Sequence, residues 1–305
     1  MSSNGIKIIL VYSLACLIWG STWLAIKTSL ESLTPFLSAG LRFVTASTVI
    51  LIILKITKIG IQKDKLSIRL YFLMTFFSFV FPFGLVYWAE QFIPSGLSSV
   101  LFAVNPFFVV LFSYFLISSE KIGFFKLTGI ILGFSGILII FSDTLDLDFS
   151  SYTLGMSAII LSAGLQGLNS VFIKKYGNHL HPVSMNFIPM LLGGITLSVF
   201  GYLTEDMGKI RFDSTAVLSV LYLAVFGSIV TFTSFYWLLK RISVVILSLI
   251  AFITPVIALF LGWLFFSEQL SVNQLMGSLL VLCGLLWANF GNFIKMNKMK
   301  RKVTV

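Results

Sequence analysis

YWAEQFIPSGLSSVLFAVNPFFVVLFSYFLISSE, residues Tyr87 to Glu120, and YWLLKRISVVILSLIAFITPVIALFLGWLFFSE, residues Tyr236 to Glu268, are one passage written twice. Tyr87-Trp88 stands 149 positions before Tyr236-Trp237, and Pro106 stands 149 before Pro255. Ser119-Glu120 stands 148 before Ser267-Glu268, so one residue is dropped after the proline. Each copy is the end of an apolar helix, a turn, and a whole apolar helix with a proline at its centre. Working outward, Gly20, Lys27 and Pro35 precede Gly167, Lys174 and Pro182 by 147, while Gly129 and Gly136 precede Gly277 and Gly284 by 148. The chain therefore reads as two copies of one plan, about 1–148 and 149–305. Repeats of this size with prolines at mid-membrane are a building principle of secondary transporters.

Composition fixes the solvent. Of 305 residues 58% are hydrophobic and only 10% charged, against about 25% charged in soluble domains, and the mean hydropathy is +1.02. The chain is an integral membrane protein, so the lipid bilayer is its first partner. Charge-free apolar runs near 8–27, 35–56, 70–92, 95–117, 122–142, 152–173, 183–204, 214–239, 243–266 and 272–294 each suit a bilayer core of ~30 Å, which takes ~20 helical residues. Helices satisfy their own backbone groups in lipid, and the short alternating segments of a barrel are absent. The expected fold class is all-α, a polytopic membrane protein of ten transmembrane helices in two inverted five-helix repeats. Inversion follows from counting: five is odd, so the second copy enters from the opposite face. Trp88 then lies near one surface and Trp237 near the other.

The net charge of +10 needs no nucleic acid to explain it. With both termini in the cytoplasm, 17 of the 21 Lys and Arg fall on the cytoplasmic side, Lys27, Lys209 and Arg211 fall outside, and Arg42 is intramembrane; that is the positive-inside pattern. The expected location is the cell (inner) membrane. Cys16 and Cys283 lie inside apolar runs and read as small core residues. No cleavable signal stands before the first span, which reads as retained.

Ten spans in two copies resemble the drug/metabolite transporter superfamily, EamA type. The matching features are Trp19-Gly20 in span one, Pro35 followed by Arg42 in span two, a mid-helix proline and a terminal Glu in spans four and nine, and Gly129 and Gly277 one turn into spans five and ten. The resemblance implies an exporter or permease for a small-molecule substrate, often an amino acid, and names no particular solute. Pro189 stands where Arg42 does in the other copy, and Gln166 where Trp19 does, so the halves do not contribute identical site chemistry.

Arg42 is the sharpest single signal, because an arginine at the helix centre costs ~2.5–3.5 kcal/mol on insertion scales. It either binds a substrate carboxylate or gates the outer mouth; alternatively it snorkels outward or pairs with Glu90. Glu90, near the outer end of span three, is either a proton-coupling carboxylate or an interfacial one. Trp19, Thr22 and Trp23 share one face of span one, as Gln166, Asn169 and Ser170 share one face of span six; these faces line a cavity or bind helices together. Asn105-Pro106 and Thr254-Pro255 break the hydrogen-bond ladder near mid-span, as hinges or as ordinary kinks. Tyr87 and Tyr236 cap the cavity at opposite ends or belong to the interfacial belt. Thus Trp19, Thr22, Arg42, Tyr87, Asn105, Gln166, Asn169 and Tyr236 are candidate substrate ligands, with Glu90, Pro106 and Pro255 for coupling or gating. Gly129, Gly133 and Gly136, with Gly277, Gly284, Ala288 and Gly291, form small-residue faces for packing inside the chain or in a homodimer. Glu120 and Glu268 read first as helix-terminus charges and second as gates, and Ser271-x-x-Gln274 is a capping-box pattern. His179 and His181, alone in a loop, make a poor metal site; no cofactor is implied.

GxxxxGK[ST] and HExxH are absent, and the 11 acidic residues lie mostly at span ends and in loops. Neither ATP-driven transport nor membrane-embedded hydrolysis is therefore expected, and no charged ring or carbonyl filter suggests a channel. The expectation is a secondary transporter working by alternating access.

Overall fold

A computed structural model describes residues 3–117, 123–142, 151–239, 241–242 and 250–303. Glu120, the acidic loop at 143–148 and the start of the ninth span at 243–249 lie outside the described residues, as does the side chain of Tyr236. Among the described residues all regular structure is helical. The helices are α1 Ser3–Ser29, α2 Pro35–Thr57, α3 Lys65–Ala89, α4 Ser95–Leu116, α5 Phe124–Phe141, α6 Ser151–Tyr176, α7 Ser184–Thr204, α8 at 214–239, α9 Ile250–Phe266 and α10 Val272–Val303. Each corresponds to one expected span.

The ends are set by local chemistry that hydropathy does not see. α3 begins at Lys65 rather than near residue 70, because the Asp64 carboxylate accepts from the amides of Leu66 and Ser67 and starts the helix in polar sequence. Asp213 does the same for α8 through the Ala216 amide. α2 starts on Pro35, whose missing N–H is no loss in a first turn. α10 opens on the capping box read from sequence: Ser271 N donates to Gln274 Oε1 at 3.1 Å and Gln274 N to Ser271 Oγ at 3.0 Å. Ser267, at φ 52°, takes the left-handed conformation that turns the chain after α9.

The main helix contacts come in related pairs. α5 packs on α10, α2 on α7 and α4 on α9; α3 packs on α6 as α8 packs on α1; α4 packs on α6 as α9 packs on α1; and α3 packs on α7 as α8 packs on α2. Within these pairs, replacing each helix by the one five places away in the other half reproduces the contact. That is the pseudo-twofold relation of two inverted five-helix repeats. The α5–α10 pair rests on the glycine face. A Cβ on Gly129 would stand 2.6 Å from Gly284 O, and one on Gly136 2.6 Å from Gly277 O. These two contacts are images of each other at the 148 offset, so the small face is used inside the chain. Large apolar side chains on the outer surface, such as Leu138, Leu203, Phe115 and Ile56, are more than two-thirds exposed, as lipid-facing groups are.

Three helices are irregular. α3 carries a π-helical segment at Thr75–Val80 and α8 carries one at Val225–Val230. α4 is interrupted at residues 103–104, between Ser95–Phe102 and Asn105–Leu116. Pro106 thus stands just after a real break, whereas α9 runs without interruption through Pro255 from Ile250 to Phe266. The two central prolines, expected to act alike, differ.

Candidate functional site

The π segments prepare the site. Pro82 has no N–H, so the carbonyl four residues before it, Ser78 O, loses its helical donor. Gln166 of α6 supplies one: its Nε2 donates to Ser78 O at 3.0 Å, and Ser78 Oγ returns a bond to Gln166 Oε1 at 2.9 Å. In the other half the matching carbonyl is Gly227 O, 149 positions on. The Thr231 amide bonds Phe226 O and bypasses Gly227. Gly227 O instead accepts from Thr231 Oγ1 at 2.9 Å and from Arg42 Nη2 at 3.3 Å. Each half thus exposes one carbonyl at mid-membrane, and each is met by a side chain from the other half. Lipid offers no alternative partner, and an unsatisfied group there costs several kcal/mol.

Arg42 is 3% exposed. Besides Gly227 O, its Nε donates to Ser228 Oγ at 3.2 Å and its Nη1 to Tyr87 OH at 3.4 Å. The rings of Phe83 and Phe43 lie 4.9 and 5.3 Å from the guanidinium carbon, a favourable cation–π setting. All these partners are neutral. The pairing with Glu90 weighed from sequence does not occur: neither Glu90 oxygen has a hydrogen-bond partner. Arg42 points into the bundle, toward the π segment of α8, and does not snorkel. Thr22 completes the wall, its Cγ2 lying 2.9 Å from where a Cβ on Gly227 would stand.

The α1 and α6 faces divide. Trp19 packs on Phe232 and Phe235 of α8 with centroids at 6.0 and 5.5 Å, and Trp23 on Phe102 of α4 at 5.5 Å. The Thr22 hydroxyl turns back to Trp19 O at 2.7 Å. On α6, Gln166 binds α3, while Asn105 at the α4 break donates to Ala163 O at 2.8 Å. Asn169 is buried and its Oδ1 has no partner. Tyr87 is fully buried against Arg42. A groove of about 370 Å³ between α4 and α6, lined by Phe108, Phe112, Ile160, Leu161 and neighbours, is apolar and contains none of these groups.

At the face away from the termini, Glu90 ends α3 and is fully buried. Lys27 of α1 donates to Glu90 O at 2.9 Å and to Ile93 O at 3.0 Å, satisfying carbonyls that the helix end leaves open. Glu268, past the end of α9, reaches across to α4 and accepts from Ser95 N at 2.7 Å, Gly96 N at 3.0 Å and Ser95 Oγ at 3.1 Å. Glu205, past α7, likewise accepts from Phe36 N at 2.8 Å and Leu37 N at 3.1 Å on α2. These carboxylates cap helices of the opposite half, at the positive end of each dipole. Sequence reasoning gave Glu268 a helix-end role but not its partner helix, and missed Glu205. Its signal was the Gly201–Glu205 spacing, echoed loosely by Gly262–Glu268: in each case the carboxylate folds back over the glycine.

Two further contacts are images. Ser32 Oγ donates to Asp213 Oδ2 at 2.9 Å; their counterparts, 147 and 149 positions on and back, are His179 and Asp64. His179 Nε2 lies 2.9 Å from Ser67 Oγ and 3.9 Å from Asp64 Oδ2. Hydrogen bonds from Ser67 hold the Asp64 carboxyl below its usual range, as those from the Ala216 amide and Ser32 do for Asp213.

Comparison with known proteins agrees with this architecture. The EamA-like transporter family matches residues 6–142 and again 153–290. The chain is 32% identical over 288 residues to a protein of Bacillus subtilis (strain 168) described as an uncharacterized transporter, YoaV, covering 93% of this chain and 97% of that one. It is 25% identical to protein PagO of Salmonella typhimurium, over 89% of each. A solved crystal structure shares the fold with a TM-score of 0.66 at 18% identity, covering 92% of this chain and 96% of the other. With its doubled five-helix plan matched across nearly the whole sequence, the chain belongs to the EamA-like transporter family.

Proposed function

We propose that this membrane transporter is a secondary carrier that exports a small carboxylate-bearing metabolite, an amino acid or a close relative, by alternating access. The observation that carries the reading is Arg42: a buried guanidinium whose hydrogen-bond partners are all neutral and whose five N–H groups are only partly used. A buried cation without a counter-ion is costly, and a substrate carboxylate would supply the missing charge in bidentate geometry. Asn169, a buried amide oxygen with no partner, would accept from the substrate's amino group or hydroxyl. Trp19, Thr22, Tyr87, Asn105, Gln166 and Tyr236 complete the substrate cavity in this reading, and the α4 break before Pro106 serves as a hinge, with Pro255 as the weak point of the otherwise continuous α9. The distribution of lysine and arginine supports a reading with both termini in the cytoplasm and the chain in the cell membrane.

The test is amino-acid counterflow in proteoliposomes, with a panel of amino acids trapped inside and labelled outside. Wild type accelerates exchange of at least one of them, and Arg42→Ala loses that exchange while keeping its yield and elution volume. A channel would equilibrate label without acceleration by trapped substrate. Equal exchange by wild type and Arg42→Ala would remove Arg42 from the site.

A further inference from the structure

Glu90 is the most anomalous group in the molecule. It is 0% exposed, and neither carboxylate oxygen has a hydrogen-bond donor among the described residues. Its nearest cation, Lys27, spends its bonds on the main-chain carbonyls of Glu90 and Ile93 and not on the carboxylate. An ionised carboxylate without donors in such a place costs far more than a neutral acid. The charged and titratable groups around it are few. Lys27 comes from α1 and Glu268 from the end of α9. Tyr87 stands one turn back on α3 with Arg42 of α2 behind it. α6 adds Tyr152, whose hydroxyl accepts from Gln274 of α10. α4 begins there with Ser95, Ser98 and Ser99 and has no charged residue along its length.

We infer that Glu90 is a proton-binding site, occupied when the α4–α9 seam is closed as it is here and emptied when that seam parts. The seam is the one Glu268 fastens to Ser95 and Gly96. When it opens, water reaches Glu90, the proton passes to that water, and the carboxylate that remains faces the Lys27 ammonium. Closing the seam returns a proton from that water to the carboxylate and expels the water, which restores the acid. One proton is thus released and taken up again at this face with each opening and closing of the seam. The inference rests on the alternating-access reading for its consequence but not for its test, since proton binding needs no substrate.

Infrared difference spectroscopy of the protein in phosphatidylcholine liposomes reads the protonated carboxyl through its carbonyl stretch. The titration runs across the range between free carboxylate and free lysine, about pH 4 to 10. The wild-type spectrum minus that of Glu90→Gln is expected to contain this band, lost as pH rises. Glu90→Asp, which keeps the acid, is expected to restore a band. Lys27→Gln removes the charge that favours the carboxylate, so the midpoint moves to higher pH. Glu268→Gln removes a neighbouring negative charge, so the midpoint moves to lower pH. A difference spectrum without the band at any pH, a band that never leaves, or a midpoint indifferent to both charge changes would each overturn the inference. Counterflow that fails while the band titrates as described would instead count against the transport reading alone.

Discussion

Ser78 and Gly227 occupy the same place in the two halves, 149 positions apart, and each presents a main-chain carbonyl that accepts a hydrogen bond from a side chain of the other half. The two are freed differently and closed differently. In α3 the cause is Pro82, and the partner is the neutral amide of Gln166 at 3.0 Å. In α8 the cause is a π-type bond from Thr231, and the partners are that residue's hydroxyl and the cation Arg42. Gln166 belongs to the second half and Arg42 to the first. The repeat therefore keeps the backbone defect and exchanges the chemistry that fills it. An inverted pair of identical fillings would place two cations, or none, at mid-membrane. The difference leaves one positive charge on one side of the axis, as the proposed carrier of a single carboxylate would need.

The comparison breaks most sharply at Arg42. Arg42→Gln gives Gly227 O an amide like the one Ser78 O has and removes the charge. Exchange of a carboxylate substrate is expected to fall by about 100-fold or more, the order of ~3 kcal/mol at tenfold per 1.4 kcal/mol. Thermal stability, by contrast, is expected to change little. Counterflow and a melting curve on the same preparation check both parts. A variant that loses stability and keeps exchange would make Arg42 a filler of the same kind as Gln166.

The converse holds for Gln166. Gln166→Leu leaves Ser78 O buried without a donor, at a cost of about 1–3 kcal/mol, while the charge at the site is unchanged. The melting temperature is expected to drop, and carboxylate exchange to fall less than in Arg42→Gln, since the charge stays. Pro82→Ala sharpens this point, because alanine supplies an N–H that can bond Ser78 O directly. The loss caused by Gln166→Leu is then expected to shrink in the Pro82→Ala background by about 1 kcal/mol, a coupling that a double-mutant cycle reads. Additive losses would mean that Gln166 and Pro82 do not share the Ser78 carbonyl.

Most of the fold was legible in the sequence, and the site was legible only in part. Span count, span order and the doubling came from hydropathy and from offsets, because lipid forces every backbone group into a helix and leaves little room for alternatives. Arg42 and Gln166 stood out since polar groups in apolar runs need partners. Which partners they found was hidden. Their acceptors are main-chain carbonyls, which no side-chain pattern marks, and the π segments that free them have no sequence period of their own. Pro82, four residues past Ser78, was a readable clue in one half; Thr231 was none in the other. The alternative of an Arg42–Glu90 pair assumed that opposite charges at similar depth meet, yet Arg42 gives that bond to Tyr87. Pro106 and Pro255 looked equivalent at a fixed offset, but among the described residues α4 parts before its proline and α9 runs on through its own.

The smallest effects are expected at the paired loop contacts, Ser32–Asp213 on one face and His179 with Ser67 and Asp64 on the other. Both aspartates are held below the ordinary carboxylate range by hydrogen bonds to their charged form. A group so shifted contributes stability above its unfolded value, about 3.9 for aspartate, and loses it only as pH falls through the lower folded value. Neither cap should therefore weaken between pH 5 and 8, and Asp64→Asn and Asp213→Asn should each lower the melting temperature slightly and equally at neutral pH. His179→Ser makes the second contact chemically like the first. If the two faces differ only in this side chain, the variant should melt within about 1 °C of wild type, since exposed contacts of this kind contribute little. Its exchange rate should shift if opening of the terminus face limits turnover. A shift on His179→Ser with none on Ser32→Ala would identify that face as the slower to open.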